Sequence, residues 1–259
     1  MIQKLSHKSN IKETMDLSII IPTYNEAHKI SRDIIEAGAF LRHHHLQGEI
    51  LVADDGSEDG TAAMAREAGK GLTLHVLENE THHGKGYVVR QGMMAARGRI
   101  IMFSDSGACT PFDFAAVGMD LIERDQCDCA HGSRKMRGSV IHHPQPLNRR
   151  IISMMIRWVF ILWLKVPARL TDTQCGFKLY RASAAKTLYA DCETQGFLFD
   201  VEIILRARQR ALRIIEFPIE WRADRDSRLS ASRNFFGILR ELYALKQILR
   251  RPAAKSKMP

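Results

Sequence analysis

Apolar residues along this chain gather in short runs that end in polar, glycine-rich or acidic turns, and a stretch with helical spacing follows most of them. LSIIIP (17–22) is an apolar run stopped by Pro22, and EAHKISRDIIEAGAFLR (26–42) places apolar residues three and four apart, which predicts one strand–helix step. EILVADDGS (49–57), with a helix over about 58–69, repeats it, and LTLHVLE (72–78), the helix of GYVVRQGMMAARG (86–98) and RIIMFSD (99–105) extend it. Four strands alternating with helices predict an α/β fold, a mostly parallel, Rossmann-like sheet with helices on both faces.

Ligands of such sheets bind beyond the carboxyl ends of the strands. Those ends carry Pro22, Thr23, Tyr24, Asn25 and Glu26, then Asp54, Asp55, Gly56 and Ser57, then Asp105. In DDGSEDGT (54–61), Ser57 is expected to cap the next helix, with Glu58 and Asp59 at its positive end. That leaves Asp54 and Asp55 without a local task, as candidate acceptors for the base N–H or ribose hydroxyls of a nucleotide. HHGKG (82–86) sets Lys85 between two glycines before a helix, an arrangement suited to an anion. It has neither P-loop nor G-x-G-x-x-G spacing, so a plain connection is the competing reading.

After CDCAHGSR (127–134) the alternation weakens into a basic loop, an amphipathic stretch (146–166), TDTQCGFKLYR (171–181), a late strand RIIEFPIEW (213–221) and a closing amphipathic helix within 231–251. Arg134, near Lys135, Arg137, Arg149 and Arg150, offers a planar fork suited to phosphate. Asp172 and Gln174 belong to a polar segment that is either an ordinary turn or a loop closing on a sugar. Asp200 and Glu202 stand at a helix start, as sugar ligands or as ordinary helix-start carboxylates. The runs His43–His45, His82–His83 and His142–His143 lack ligand spacing and are read as solvated.

Composition narrows the partners. With 38 Lys+Arg against 29 Asp+Glu in 259 residues the net charge is +9, which suits phosphates, nucleic acid or lipid headgroups. No recognition-helix, zinc-finger or RNP pattern is present, so nucleic acid is set aside. Five cysteines without C-x-x-C spacing read as reduced thiols in the cytosol. Residues 1–15 are charged and lack an apolar core, a disordered lead-in rather than a signal peptide. The longest apolar run, 158–164, lies between Arg157 and Lys165 and is far short of the roughly 20 residues that span a bilayer. The expectation is a cytoplasmic protein with no membrane-spanning segment. Residues 16–259 are expected to form a single domain, with a nucleotide-binding half over about 16–135 and an acceptor half over about 136–259.

LSIIIPTYNEA, ILVADDGSEDGT, HHGKGYVVRQGM, the Asp105 turn, HGSR and DTQCGFKLY occur in an order that resembles the family 2 inverting glycosyltransferases, over about residues 17–235. Within that family the chain is most similar to the branch that makes dolichyl-phosphate or polyprenyl-phosphate glucose and mannose. The resemblance implies a GT-A fold, a nucleotide-sugar donor with UDP-glucose the first to test, a divalent Mg²⁺ or Mn²⁺, and a lipid-phosphate acceptor. It assigns Pro22, Tyr24, Glu26, Asp54, Asp55, Lys85 and Asp105 to the donor, and Asp105 to the metal. Arg134, Gln174, Asp200 and Arg228 go to the substrate and acceptor; Asp172, Asp105 and Arg134 go to catalysis.

The branch carries Asp-x-Asp at FSDSGACT, and Gly107 stands at the second position. A single carboxylate, with diphosphate oxygens and waters, implies a weak, donor-dependent metal; alternatively Lys85, Arg134 or another cation neutralises the departing charge. Asp172 is expected to act as a base or a sugar-hydroxyl ligand, although an acceptor phosphate is already anionic and needs no strong base. The apolar, cation-spaced stretch RRIISMMIRWVFILWLK and the closing helix are read either as core-packing helices or as a peripheral membrane contact. Transfer to a soluble hydroxyl acceptor, with Asp172 as general base, and a catalytically degenerate nucleotide-sugar-binding homologue remain the alternatives.

Overall fold

Leu17–Thr23 (β1) is buried along its whole length, as expected of a strand covered on both faces. It pairs in parallel with Gly48–Asp54 (β2) and Ile100–Ser104 (β4), and β2 pairs in parallel with Leu74–Glu78 (β3). The computed structural model describes residues 15–142, 147–222 and 235–250. Within them the helices Ala27–His43 (α1), Thr61–Ala68 (α2) and Lys85–Ala95 (α3) follow β1, β2 and β3. All but Met15 of the lead-in over 1–15, and Arg228, lie outside the described residues.

The strands divide their side chains by parity. Ile19, Ile21, Ile50 and Val52 join α1 and Phe114–Glu123 (α4) in one core, whereas Ile20, Leu51, Ala53 and Phe103 join α3 in the other. This is the two-residue period of a strand read by helices on both faces. α1 turns Ile30, Ile34, Ala37 and Leu41 inward, a helical stripe three to four residues apart.

The rest of the sheet was not legible as alternation. After Cys129–Ser133 (β5), a short strand Val140–Ile141 (β6) and the helix Leu147–Leu164 (α5), the chain returns as Phe177–Arg181 (β7). DTQCGFK is therefore only partly a loop. β7 runs antiparallel to β4 on one side and β5 on the other, making the sheet order β3-β2-β1-β4-β7-β5-β8, with β8 being Ile214–Pro218. Strands of both sequence halves thus interleave. The helices Ala182–Ala190 (α6), Phe199–Gln209 (α7) and Phe235–Arg250 (α8) complete the second core, and Glu220–Trp221 (β9) pairs with β6.

α6 also finishes α3. The Lys186 ammonium donates to the carbonyl oxygens of Met93, Met94 and Ala96 at 2.9, 2.6 and 2.7 Å, groups that a helix C-terminus leaves without partners. α5 is partly interior: Phe160 and Leu164 are buried, while Met154, Trp158, Val159, Leu162 and Trp163 are exposed. Among the described residues no helix is long and apolar enough to cross a membrane.

Candidate active site

The loops after β1 and β2 hold one another through paired side-chain and backbone contacts. Thr23 Oγ1 donates to Asp54, the Asn25 N–H to Ser57 Oγ, the Glu58 N–H to Asn25 Oδ1, the Glu26 N–H to Thr61 Oγ1 and the Ala27 N–H to Asp59. Asp54 also accepts the Ser57 N–H at 3.0 Å and is 2 % exposed. It clamps the turn and is not among the residues that line the cleft described below. Ser57 does not cap α2, whose N-cap is Gly60.

Asp55 is engaged as well, with its carboxylate accepting the N–H groups of His83 and Gly84 at 2.8 Å each and lying 2.8 Å from His82 Nδ1. Unlike Asp54 it lines the cleft. At the start of α3 the Gly86 and Tyr87 N–H groups donate to the Gln195 carbonyl, so that helix start is not a free anion nest. The two glycines of HHGKG permit this approach: a Cβ on Gly84, at φ +114°, would lie 2.7 Å from the Gln195 oxygen, and one on Gly86 2.4 Å from the Thr194 oxygen.

At the carboxyl ends of β1, β2 and β4 opens a cleft of about 820 Å³, lined by Pro22, Tyr24, Glu26, Asp55, Lys85 and Asp105. Six residues assigned to the donor therefore meet in one place. Its remaining wall comes from 193–197 and from Arg240, Glu241, Ala244 and Ile248 of α8. Sequence reasoning missed this wall. The close approach of Gly196 to Glu241, where a Cβ would meet the carboxylate at 2.2 Å, is what lets the two segments meet. His82 and His83, expected to be merely solvated, also line the cleft, and the His82 ring lies 4.2 Å from that of Tyr24.

Deep in the cleft Lys85 Nζ lies 2.6 Å from Asp105 Oδ1. Burial alone would lower the Lys85 pKa, but Asp105 and then Asp200 outweigh it and raise it, so the ammonium keeps its charge. Asp200 lies behind, ion-paired with the fully buried Lys178, which also donates to the Thr173 carbonyl at 2.9 Å. Burial raises the Asp200 pKa against the pull of Lys178 and Lys85. Glu202 accepts the N–H groups of Glu193 and Thr194 and pairs with Arg206, anchoring that loop.

Arg134 and Asp172 form a second pair, outside the cleft lining but near enough for the charge of Asp105 to act on Arg134. Nε and one terminal nitrogen of Arg134 donate to the two carboxylate oxygens at 2.6 and 2.7 Å, and its N–H adds a bond of 3.1 Å. Burial would raise the Asp172 pKa; the hydrogen bonds and charge of Arg134, with Lys135, hold it below the ordinary carboxylate range. Glu216 of β8 fixes the Asp172 segment by accepting the Thr171 and Asp172 N–H groups at 2.7 and 2.8 Å, while Arg134 lies over the Trp221 ring at 5.3 Å. Gln174 is exposed, its amide 3.5 Å from the Phe197 carbonyl.

Among the described residues, Asp105 is the carboxylate beside Lys85 that a divalent cation could meet in the cleft. At position 107 the glycine has φ +103°, its N–H donates to the buried Asp33 at 2.8 Å, and Ser106 Oγ donates to the same carboxylate oxygen. No group of three or more His, Cys, Asp or Glu stands at metal-binding distance among the described residues. The half-exposed Asp105 carboxylate in this cleft is an oxygen ligand that fits a hard divalent cation.

In a mostly parallel sheet whose strand order reverses between β1 and β4, acidic and cationic side chains gathered beyond the carboxyl ends of those strands place the cleft where α/β enzymes bind their ligands. Residues 18–189 match the model of Glycosyl transferase family 2, and the chain belongs to that family. It is a glycosyltransferase with the GT-A fold. A dolichyl-phosphate beta-glucosyltransferase of Drosophila melanogaster is 30% identical over 245 residues, covering 90% of this chain and 74% of that protein. The enzyme of the same name from Saccharomyces cerevisiae is 27% identical over 253 residues, 90% of this chain and 75% of the relative. Glucosyl-3-phosphoglycerate synthase from Mycobacterium tuberculosis, crystallised with Mn²⁺, UDP and glucosyl-3-phosphoglycerate, has the same fold at a TM-score of 0.70 and 18% identity, over 90% of this chain and 81% of that one.

Proposed function

We propose that this glycosyltransferase moves a hexose, with UDP-glucose as the first donor, onto a polyprenyl or dolichyl phosphate with inversion at the anomeric carbon. The observation that carries the reading is the meeting of the Lys85–Asp105 pair with Tyr24, Glu26 and Asp55 in one cleft of a chain 30% identical to a dolichyl-phosphate beta-glucosyltransferase. Pro22, Tyr24, Glu26 and Asp55 receive the nucleoside, and Lys85 and Asp105 the diphosphate. A divalent cation there, held weakly by Asp105 and mainly by the donor, supplies Lewis-acid charge stabilisation. The Lys85 ammonium stabilises the charge that grows on the departing UDP.

The acceptor phosphate is assigned to Arg134, with Gln174 and Arg228 as further contacts, and its anionic oxygen attacks the anomeric carbon from the face opposite the diphosphate. Asp172, held ionised by Arg134, orients that guanidinium and takes no proton from the nucleophile, which has none to give. Asp200 acts through Lys178 and Lys85, not by touching the sugar. The exposed Trp158, Leu162 and Trp163 of α5, with the Lys246 ammonium of α8 4.0 Å from the Trp163 ring centre, suit a peripheral contact at the cytoplasmic membrane face.

Incubation of the protein with radiolabelled UDP-glucose or GDP-mannose, polyprenyl phosphate and Mg²⁺ or Mn²⁺, with and without chelator, tests this. Label from UDP-glucose should enter the lipid phase and be lost with chelator. Transfer only to water-soluble hydroxyl acceptors would overturn the lipid acceptor, and no turnover with either donor would favour a nucleotide-sugar-binding homologue.

A further inference from the structure

Asp105 carries the carboxylate retained at the metal position, and the Lys85 ammonium is already seated on it at 2.6 Å. Immediately behind lie Lys178 and Asp200, with side chains 0% and 3% exposed. Both ammonium groups face one ring, that of Phe103, at 6.0 and 5.7 Å from its centre. The charges of the four groups cancel, two cations against two carboxylates, and the sum is the same whether Lys178 and Asp200 are ionised or share their proton.

A divalent cation arriving alone at Asp105 meets a resident positive charge on its ligand and leaves a partly buried cluster with two uncompensated charges, a costly state away from water. Arriving with a diphosphate, the same cation brings its own counter-charge, and the Lys85 ammonium gains phosphate oxygens to replace the carboxylate. Gly107 adds no second carboxylate to compete with Lys85, and its N–H is committed to Asp33.

We propose that Lys85 is a built-in counter-ion that keeps Asp105 closed to divalent cations until a nucleoside diphosphate arrives, so that cation and donor bind as a linked pair. The proposal rests on the reading of the cleft as a nucleotide-sugar site. Such linkage is reciprocal: the factor by which UDP strengthens cation binding is the factor by which the cation strengthens UDP binding.

Free Mn²⁺ is followed by electron paramagnetic resonance while wild-type protein, K85Q, K85M, K85R and the double variant K85Q/D105N are titrated, with and without UDP and against a protein-free UDP blank. Wild type should bind Mn²⁺ about tenfold or more tightly with UDP than without, within the usual range of such couplings. K85Q and K85M should strengthen donor-free Mn²⁺ binding about fivefold or more, K85R should not, and the double variant should lose the gain. Neutral variants that bind donor-free Mn²⁺ no better than wild type overturn the proposal, as does a wild type that binds Mn²⁺ equally well with UDP bound or absent. The donor-free arm contains no nucleotide and decides the role of Lys85 alone; failure of UDP to bind any variant overturns the donor reading instead.

Discussion

Gly176 and Asp105 share a space that admits one side chain: a Cβ on Gly176 would lie 2.0 Å from the Asp105 carboxylate, while the Asp105 N–H donates to the Gly176 carbonyl at 2.8 Å. The backbone bond fixes the two residues in register, so the carboxylate has to give way to any group added at 176. G176A should therefore displace Asp105 from Lys85, lowering kcat about tenfold or more while costing about 1–3 kcal/mol of stability, the usual range for overpacking. Steady-state kinetics and thermal unfolding of the same preparation separate the two effects.

The Arg134–Asp172 fork predicts a pH signature. Asp172 ionises below the ordinary carboxylate range when folded, so its contribution to stability is fully present above the unfolded pKa of about 3.9 and is lost as pH falls through the folded value. Stability owed to this pair should be flat between about pH 5 and 8 and fall below about pH 4. D172N should cost about 2–4 kcal/mol at neutral pH, because Arg134 is left partly buried without its counter-charge, and should flatten the acid limb of chemical unfolding curves. Transfer to a phosphate acceptor should show no limb from Asp172 above about pH 5.

Restoring the second carboxylate should not restore a metal site. Position 107 has φ +103° and its N–H is bound to Asp33, so G107D forces a non-glycine residue into a region that costs about 1–3 kcal/mol. Its donor-free Mn²⁺ affinity should stay within about twofold of wild type, below the roughly fivefold at which a genuine coupling begins. Paramagnetic resonance titration and denaturant unfolding check both halves.

K186A removes the donor that serves three carbonyls at the end of α3. A loss of about 1–3 kcal/mol is expected for the groups left unpaired, a drop in Tm of about 3–9 °C for a chain of this size. Lys85 stands at the opposite end of the helix, so kcat/KM at a temperature where the variant is folded should be unchanged.

How far the sequence carried differs between the two edges of the sheet. β1, β2 and β4 were visible because strands buried on both faces read as unbroken apolar runs. β7 was not, because Lys178 within it reads as a surface residue until Asp200, 22 positions away, compensates it inside. The rim residues Pro22, Tyr24, Glu26, Asp55, Lys85 and Asp105 were legible because the ends of parallel strands collect on one side. Asp54 was read as having no local task because its partner Ser57 had been given to the helix cap. The wall formed by 193–197 and α8 depends on Gly196 meeting Glu241, a long-range fit that no local pattern announces. His82 is exposed, as its sequence reading had it, but its contact with Asp55 is joined only by the fold.

The wedge formed by Phe177–Arg181 has a consequence for biosynthesis. β4 lies between β1 and β7, and β5 between β7 and β8, so a nascent chain that has released its first five sheet strands still has one open edge on β4 and a β5 with no neighbour. At ~5–20 residues per second the missing strand follows β5 out of the ribosome after roughly 2–10 s. Until then bare strand edges are available for wrong pairing. Ribosome stalling or truncation within this window should yield insoluble fragments rather than a smaller working enzyme.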